Sequence, residues 1–279
     1  MLVGALTAEA RAQVAPPAAA LAGWDAYVRA TEARIARERA SPTGFFGRDF
    51  GPDATMVRRA ARSGELVIAP WRTPTVSGTL SSELSRDVPQ GQIHHWIGTV
   101  FVPGVTLSTL LERLHGVDVQ RRQPDVLAAR VLASEPGALS IFLRLRRTQI
   151  VTATYDTEHR VRFERLGTAR ALSTTVATRI VELADAGAPT EQRLGPGEDR
   201  GFLWRLNAWW RYEAVAGGVL IECESVSLSR RAPFGLGAVT APFVTRVARE
   251  SMTRTLDALR LAFTRPPQLS SMARGGTPL

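Results

Sequence analysis

Four histidines, one pair of closely spaced carboxylates and a set of strand-borne arginines are the residues of this chain that could do chemistry. His94 and His95 are adjacent within a run of β-formers. Neighbouring strand residues point to opposite faces, so only one of the two can enter a given pocket. A histidine beside Glu222 or Glu224 could act as a general base in a cyclase-like reaction; the blander role is a hydrogen-bonded strand histidine. Two histidines with a carboxylate could ligate zinc, but neither those two nor His115 and His159 are spaced for it. Arg144, Arg146, Arg205 and Arg211 could grip a carboxylate or phosphate bidentately if they faced a cavity. Placed on a solvated convex sheet face, they would instead pair with Glu222, Glu224 and Glu164, and this is the expected arrangement. The sequence contains no G-x-S-x-G elbow, H-E-x-x-H pair or phosphate-binding loop. The run from Gly195 through Gly197 to Gly201 has the wrong spacing for dinucleotide binding, and a proline sits in its turn. No catalytic residue, metal or cofactor is assigned.

The elements that must position these residues follow from the order of patterns along the chain. Residues 1–22 read as a leader: an apolar start, an A-x-A pattern at Ala10-Arg11-Ala12, then a Pro/Ala-rich linker. They are either the end of a signal peptide, which would make the protein an exported one, or an ordinary disordered segment. Residues 23–63 form an N-terminal extension. It begins with an amphipathic helix from Gly23 to Ala40 carrying Trp24, Tyr27, Val28, Thr31 and Ile35 on one stripe. Strand patterns dominate from residue 64. Short runs at Glu65–Trp71 and Thr75–Leu84 precede a stronger one at Gln92–Val102, and Thr106 then caps a helix to Leu114. Strands follow at Val126–Ser134, over Ala138–Tyr155 with a break at Asp156–His159, from Arg160 to Arg165, and after Gly167 to Leu183. A Gly/Pro-rich loop spans 185–201.

Two last strands, Phe202–Val215 and Val219–Arg230, are joined by Ala216-Gly217-Gly218, a tight-hairpin signal. A two-residue turn would put Trp204, Leu206, Ala208, Trp210, Tyr212, Ile221 and Cys223 on one face, with Arg211, Glu222 and Glu224 on the other. The chain closes with a long helix capped near Thr240, carrying Val244, Val247, Met252, Leu256, Leu259 and Phe263 as an apolar stripe. Pro266-Pro267 stops it, and 266–279 read as a disordered tail. Long antiparallel strands with one long final helix make an α+β layout. A single helix cannot fill the concave face of a curved sheet, which implies a pocket lined by Trp204, Leu206, Trp210, Tyr212, Ile221, Cys223, Val247, Met252 and Leu256.

Composition sets outer limits. With 279 residues, 44% of them hydrophobic, the chain can bury a large core. The lone cysteine, Cys223, rules out an intramolecular disulfide. The net charge of +9 comes entirely from arginine, for the sequence contains no lysine. The arginines are scattered in pairs and not gathered on an aromatic-laced stripe, so a nucleic-acid partner is not expected. Weak peripheral attraction to an anionic membrane surface is the more natural consequence. The sequence contains no run approaching the ~20 apolar residues of a membrane span.

The stretch from Trp209 to Pro233, WWRYEAVAGGVLIECESVSLSRRAP, followed by a long helix, resembles the closing hairpin and helix of bacterial START-like (SRPBCC, helix-grip) proteins. The resemblance reaches back loosely to Gln92. It implies a START-like domain over 64–265: a curved antiparallel sheet wrapped around the C-terminal helix. It also implies a hydrophobic-ligand pocket, as in lipid-transfer domains, plant hormone-binding proteins and polyketide cyclases. Expected function is therefore non-catalytic binding or transport of a lipid or other apolar small molecule, with an aromatase/cyclase-type enzyme or a ligand-free interaction domain as the alternatives.

Overall fold

The computed structural model describes residues 15–74, 80–81, 86–148, 152–195, 197–231 and 237–264; for 73–74, 80–81 and 237–248 it describes the backbone path only. The leader signature at residues 1–12 and the tail after 264 lie outside the described residues, as does most of the run at Thr75–Leu84. Five helices and eight principal strands follow in order. Helix α1 (Ala18–Ala40), a 3-10 turn (Gly47–Phe50) and α2 (Ala54–Arg62) precede β1 (Val67–Pro70) and β2 (Gly91–Pro103). Helices α3 (Leu107–Leu114) and α4 (Asp118–Arg121) lead into β3 (Val126–Glu135), β4 (Ala138–Thr148), β5 (Thr152–Leu166) and β6 (Arg170–Ala184). The hairpin of β7 (Arg205–Val215) and β8 (Gly218–Arg230) is followed by α5 (Gly237–Thr264).

The eight principal strands pair antiparallel in one open sheet of order β1-β2-β8-β7-β6-β5-β4-β3, with short segments at 87–88 and 192–193 added to β2 and β6, while 73–74 and 80–81 form a separate two-stranded pair. The β7–β8 turn has two loop residues, since Val215 pairs with Gly218. Gly218 is required there: a Cβ would stand 2.2 Å from the Val102 carbonyl oxygen of β2. The register sets Tyr212 against Ile221, Trp210 against Cys223 and Arg211 against Glu222.

Several boundaries differ from expectation. Helix α1 starts at Ala18, five residues before Gly23 and inside the stretch read as leader, because Ala20 is buried against the sheet. The long β run is two strands, β4 ending at Thr148 and β5 starting at Thr152, and Asp156–His159 lies within β5. Its polar residues are carried as an alternating strand pattern and do not form a turn. Helix α5 begins at Gly237, so Thr240 is inside the helix and does not cap it. Thr106 does cap α3, accepting from the Thr109 N–H at 3.2 Å.

Both faces of the sheet are covered over β2 and β8, and the outer face is covered over β7 as well. On the inner face, Met252, Leu256, Leu259 and Ala262 of α5 pack on Trp96, Val100, Ile221 and Tyr212. The approach at β2 is close, because a Cβ on Gly98 would meet Leu256 Cδ1 at 2.6 Å. On the outer face, Ala20, Trp24 and Tyr27 of α1 pack on Ile93, Trp209, Val226 and Leu228. Phe45 and Phe46 cap Leu220 nearby. The N-terminal extension is thus a second layer on the same sheet.

Candidate functional site

The inner face carries most of the pocket-wall candidates. Tyr212, Ile221, Cys223, Met252 and Leu256 share one buried cluster, with Trp210 and Ala208 packed against it and only partly buried. Leu206, two residues before Ala208, shares the face by alternation and is also partly buried. The Val247 side chain lies outside the described residues. Trp204 does not join this wall: it packs with Trp24 and Trp209 under α1. It stands just before β7, so strand alternation does not govern it, and its indole donates to Asp199 at 3.2 Å.

Polar groups punctuate the inner face. The Tyr212 hydroxyl meets Ser173 Oγ at 2.9 Å, and burial raises its pKa. Further along, Tyr155, Thr157, His159, Val161 and Phe163 alternate inward on β5, paired with the inward row of β4. His159 Nε2 lies 2.9 Å from Thr157 Oγ1, and burial lowers the imidazole to a pKa of about 4, which leaves it neutral. The Tyr155 hydroxyl is buried with no hydrogen-bond partner among the described residues. Reading 156–159 as a break hid this row from sequence analysis; the alternation from Tyr155 to Phe163 is the signal that would have found it. His94 also faces inward, 2.8 Å from Ser229 Oγ, and burial first, then Arg86, lowers it to about 4. A cleft of roughly 300 Å³ opens beside α3, where Leu111 and Ala171 reach the core below Ser108, Glu112 and His115.

The outer face overturns the expected solvated arginine face. Arg211, Glu222 and Glu224 are each at most 2% exposed, sealed under α1 and the 45–48 segment. Arg211 donates to Glu38 at 2.5 Å and to the Phe45 carbonyl at 2.9 Å. Glu222 accepts from the Gly47 and Arg48 N–H groups at 2.6 and 3.2 Å. Glu224 pairs with Arg34 and with His95 Nε2, the latter at 2.7 Å. Burial lowers the His95 pKa, outweighing Glu224. A neutral ring therefore donates from Nε2 to Glu224 and accepts the Tyr27 hydroxyl at Nδ1, 2.8 Å away. Of the other arginines, Arg205 and Arg146 are exposed, while Arg144 pairs with Asp156 and Glu191 on the uncovered half of the outer face.

His95, Glu222 and Glu224 do come together, but on the side of the sheet away from α5. The histidine–carboxylate pair that could have served a cyclase-like reaction is a strut between α1 and the sheet. Among the described residues no group of three metal-ligating side chains forms, and no helix is long and apolar enough to cross a membrane.

An open antiparallel sheet gripping a long C-terminal helix is an α+β helix-grip architecture. No family model and no curated protein matches the chain. Among solved structures it is similar to a STAR-related lipid transfer protein from Xanthomonas axonopodis, at 17% identity over 65% of this chain and 97% of that one, TM-score 0.44. It is also similar to the Zhui aromatase/cyclase from a Streptomyces species, at 13% identity over 61% and 92%, TM-score 0.38. A START superfamily protein from Mycobacterium smegmatis shows 11% identity over 61% and 96%, TM-score 0.39.

Proposed function

We propose that the protein binds or carries a lipid or other apolar small molecule between the inner face of the sheet and α5, without catalysis. The observation that carries this reading is an asymmetry of the inner face. Where the C-terminal half of α5 lies on β2 and β8, Val100, Ile221 and Leu256 are wholly buried. On β7, Leu206, Ala208 and Trp210 face the same side yet are only partly buried. Apolar surface left accessible beside a close-packed core is what an apolar ligand would cover. Tyr155 and His159 would supply the few convergent polar groups at the far end of that surface. The neutral state of His159 suits a hydroxyl or carbonyl partner better than an anion.

Native mass spectrometry of the purified full chain, with solvent extraction, tests the reading. A co-purifying apolar species of defined mass is the expected result. An apo mass, with no thermal shift against fatty acids, phospholipids or polyaromatics, would overturn it. Tyr155→Phe sharpens the test. Removing a buried hydroxyl that has no partner among the described residues should leave stability equal or raise it by about 1 kcal/mol. Retention of a hydroxyl- or carbonyl-bearing ligand should fall in the same variant.

A further inference from the structure

We propose that the free edge of the sheet, strand β3, is a docking surface for an anionic lipid bilayer. Six large apolar side chains are exposed among the described residues, and three of them fall within six positions of β3: Leu127 at 44%, Val131 at 42% and Leu132 at 46%. Such concentration on one element marks an interaction site, whereas single exposed apolar residues do not.

The form of the edge decides what it can accept. β3 is bulged against β4 between Val126 and Ala128 and again between Val131 and Ala133. Leu127 and Leu132 are the extra residues of these two bulges, so both project from a strand whose run of backbone groups is interrupted. Arg121 also donates from Nη2 to the Ala129 carbonyl at 3.1 Å. Bulges and a capped carbonyl are the devices that prevent a second strand from adding to an edge. The edge therefore offers a ridge of side chains more than a ladder of hydrogen bonds.

Charge points the same way. The exposed acids at this edge are already engaged, Asp118 with Arg121 and Glu135 with Arg160. Arg122, Arg146 and Arg162 are exposed on or beside it with no acidic partner among the described residues. Arg130 is exposed and stacks its guanidinium on the Phe142 ring at 3.8 Å. A two-fold contact with a second copy would set this positive surplus against itself. A bilayer bearing anionic headgroups neutralises it and accepts a convex ridge without shape matching. Insertion is shallow, because an open sheet edge cannot enter the hydrocarbon.

This inference stands apart from the identity of any cavity ligand. Co-sedimentation of the full chain with phosphatidylcholine vesicles, with and without phosphatidylserine, tests it. Binding is expected only with phosphatidylserine, and weakening with salt. Leu127→Ser with Leu132→Ser should reduce it about tenfold, and Arg122→Gln with Arg146→Gln about fivefold per arginine. All four positions are solvent-facing, so circular dichroism and thermal melting should not change. Phe202→Ser, an exposed apolar residue elsewhere, should bind as wild type. Absence of vesicle binding, equal binding in the Leu127/Leu132 variant, or equal loss on Phe202→Ser would each overturn the proposal. So would a dimer in light scattering that the leucine substitutions dissociate without affecting vesicle binding.

Discussion

Glu222 illustrates how little a residue's type says about its role once it is buried. The site under α1 brings three carboxylates, Glu38, Glu222 and Glu224, against two guanidiniums, Arg34 and Arg211. Burial pushes Glu222 up to about 7, against the pull of Arg211 and two backbone N–H donors. Burial acts on Glu224 too, but Arg34, the His95 hydrogen bond and Arg211 outweigh it and hold that carboxyl near 2. The signs are opposite. Folded Glu222 holds its proton between 4.5 and about 7, so its contribution to stability falls as pH rises through that window. Glu224 gains stability as pH rises from about 2 to 4.5. His95, lowered by burial, contributes a gain as pH climbs towards its unfolded value of 6.5. Glu222→Gln removes only the falling component. Relative to wild type it should gain on the order of 1–3 kcal/mol between pH 4.5 and 7 and then plateau. Urea midpoints taken at steps of pH would show this, and parallel curves for the two proteins would refute it.

At the scale of elements, α5 and β2 meet where Gly98 lacks a side chain. Leu256 Cδ1 and Met252 Cγ occupy the place of its Cβ at 2.6 and 3.0 Å. Gly98→Ala should therefore cost roughly 1–3 kcal/mol through overpacking. Leu256→Ala alone should cost about 2–5 kcal/mol as a cavity. Because the two changes share one volume, the double variant should be more stable than the sum of the single losses predicts. Additive denaturation free energies would show that the helix does not rest on this glycine.

Over the whole molecule, the sheet is the common floor of two layers. Strands β2 and β8 carry α5 on one side, and together with β7 they carry α1 and the 45–48 segment on the other. Trp24, buried against Trp209 and Leu228, should cost about 3–5 kcal/mol when changed to alanine. The loss should appear in one cooperative transition, with tryptophan fluorescence and far-UV circular dichroism coincident. A separate early transition for α1 would show an appended segment and not a layer of the fold.

The strands and the final hairpin were legible because alternation and turn chemistry are local. Ala216-Gly217 fixes the register of β7 on β8, and the register fixes which residues share a face. Alternation therefore placed Trp210, Tyr212, Ile221 and Cys223 together and separated them from Arg211, Glu222 and Glu224. It could not say what lies on the second face. Arginines and glutamates on one side of a strand read as solvated, and only a helix arriving from some 170 positions away in the chain seals them in. Trp204 escaped for a related reason, since a residue one step outside a strand obeys tertiary packing and not the pleat. Sequence alone thus determined the antiparallel hairpin and its long closing helix, which depend on local periodicity. The tertiary structure decided which face meets water, which is buried as ion pairs and which is left open to a ligand, because burial is a property of the partner as much as of the residue.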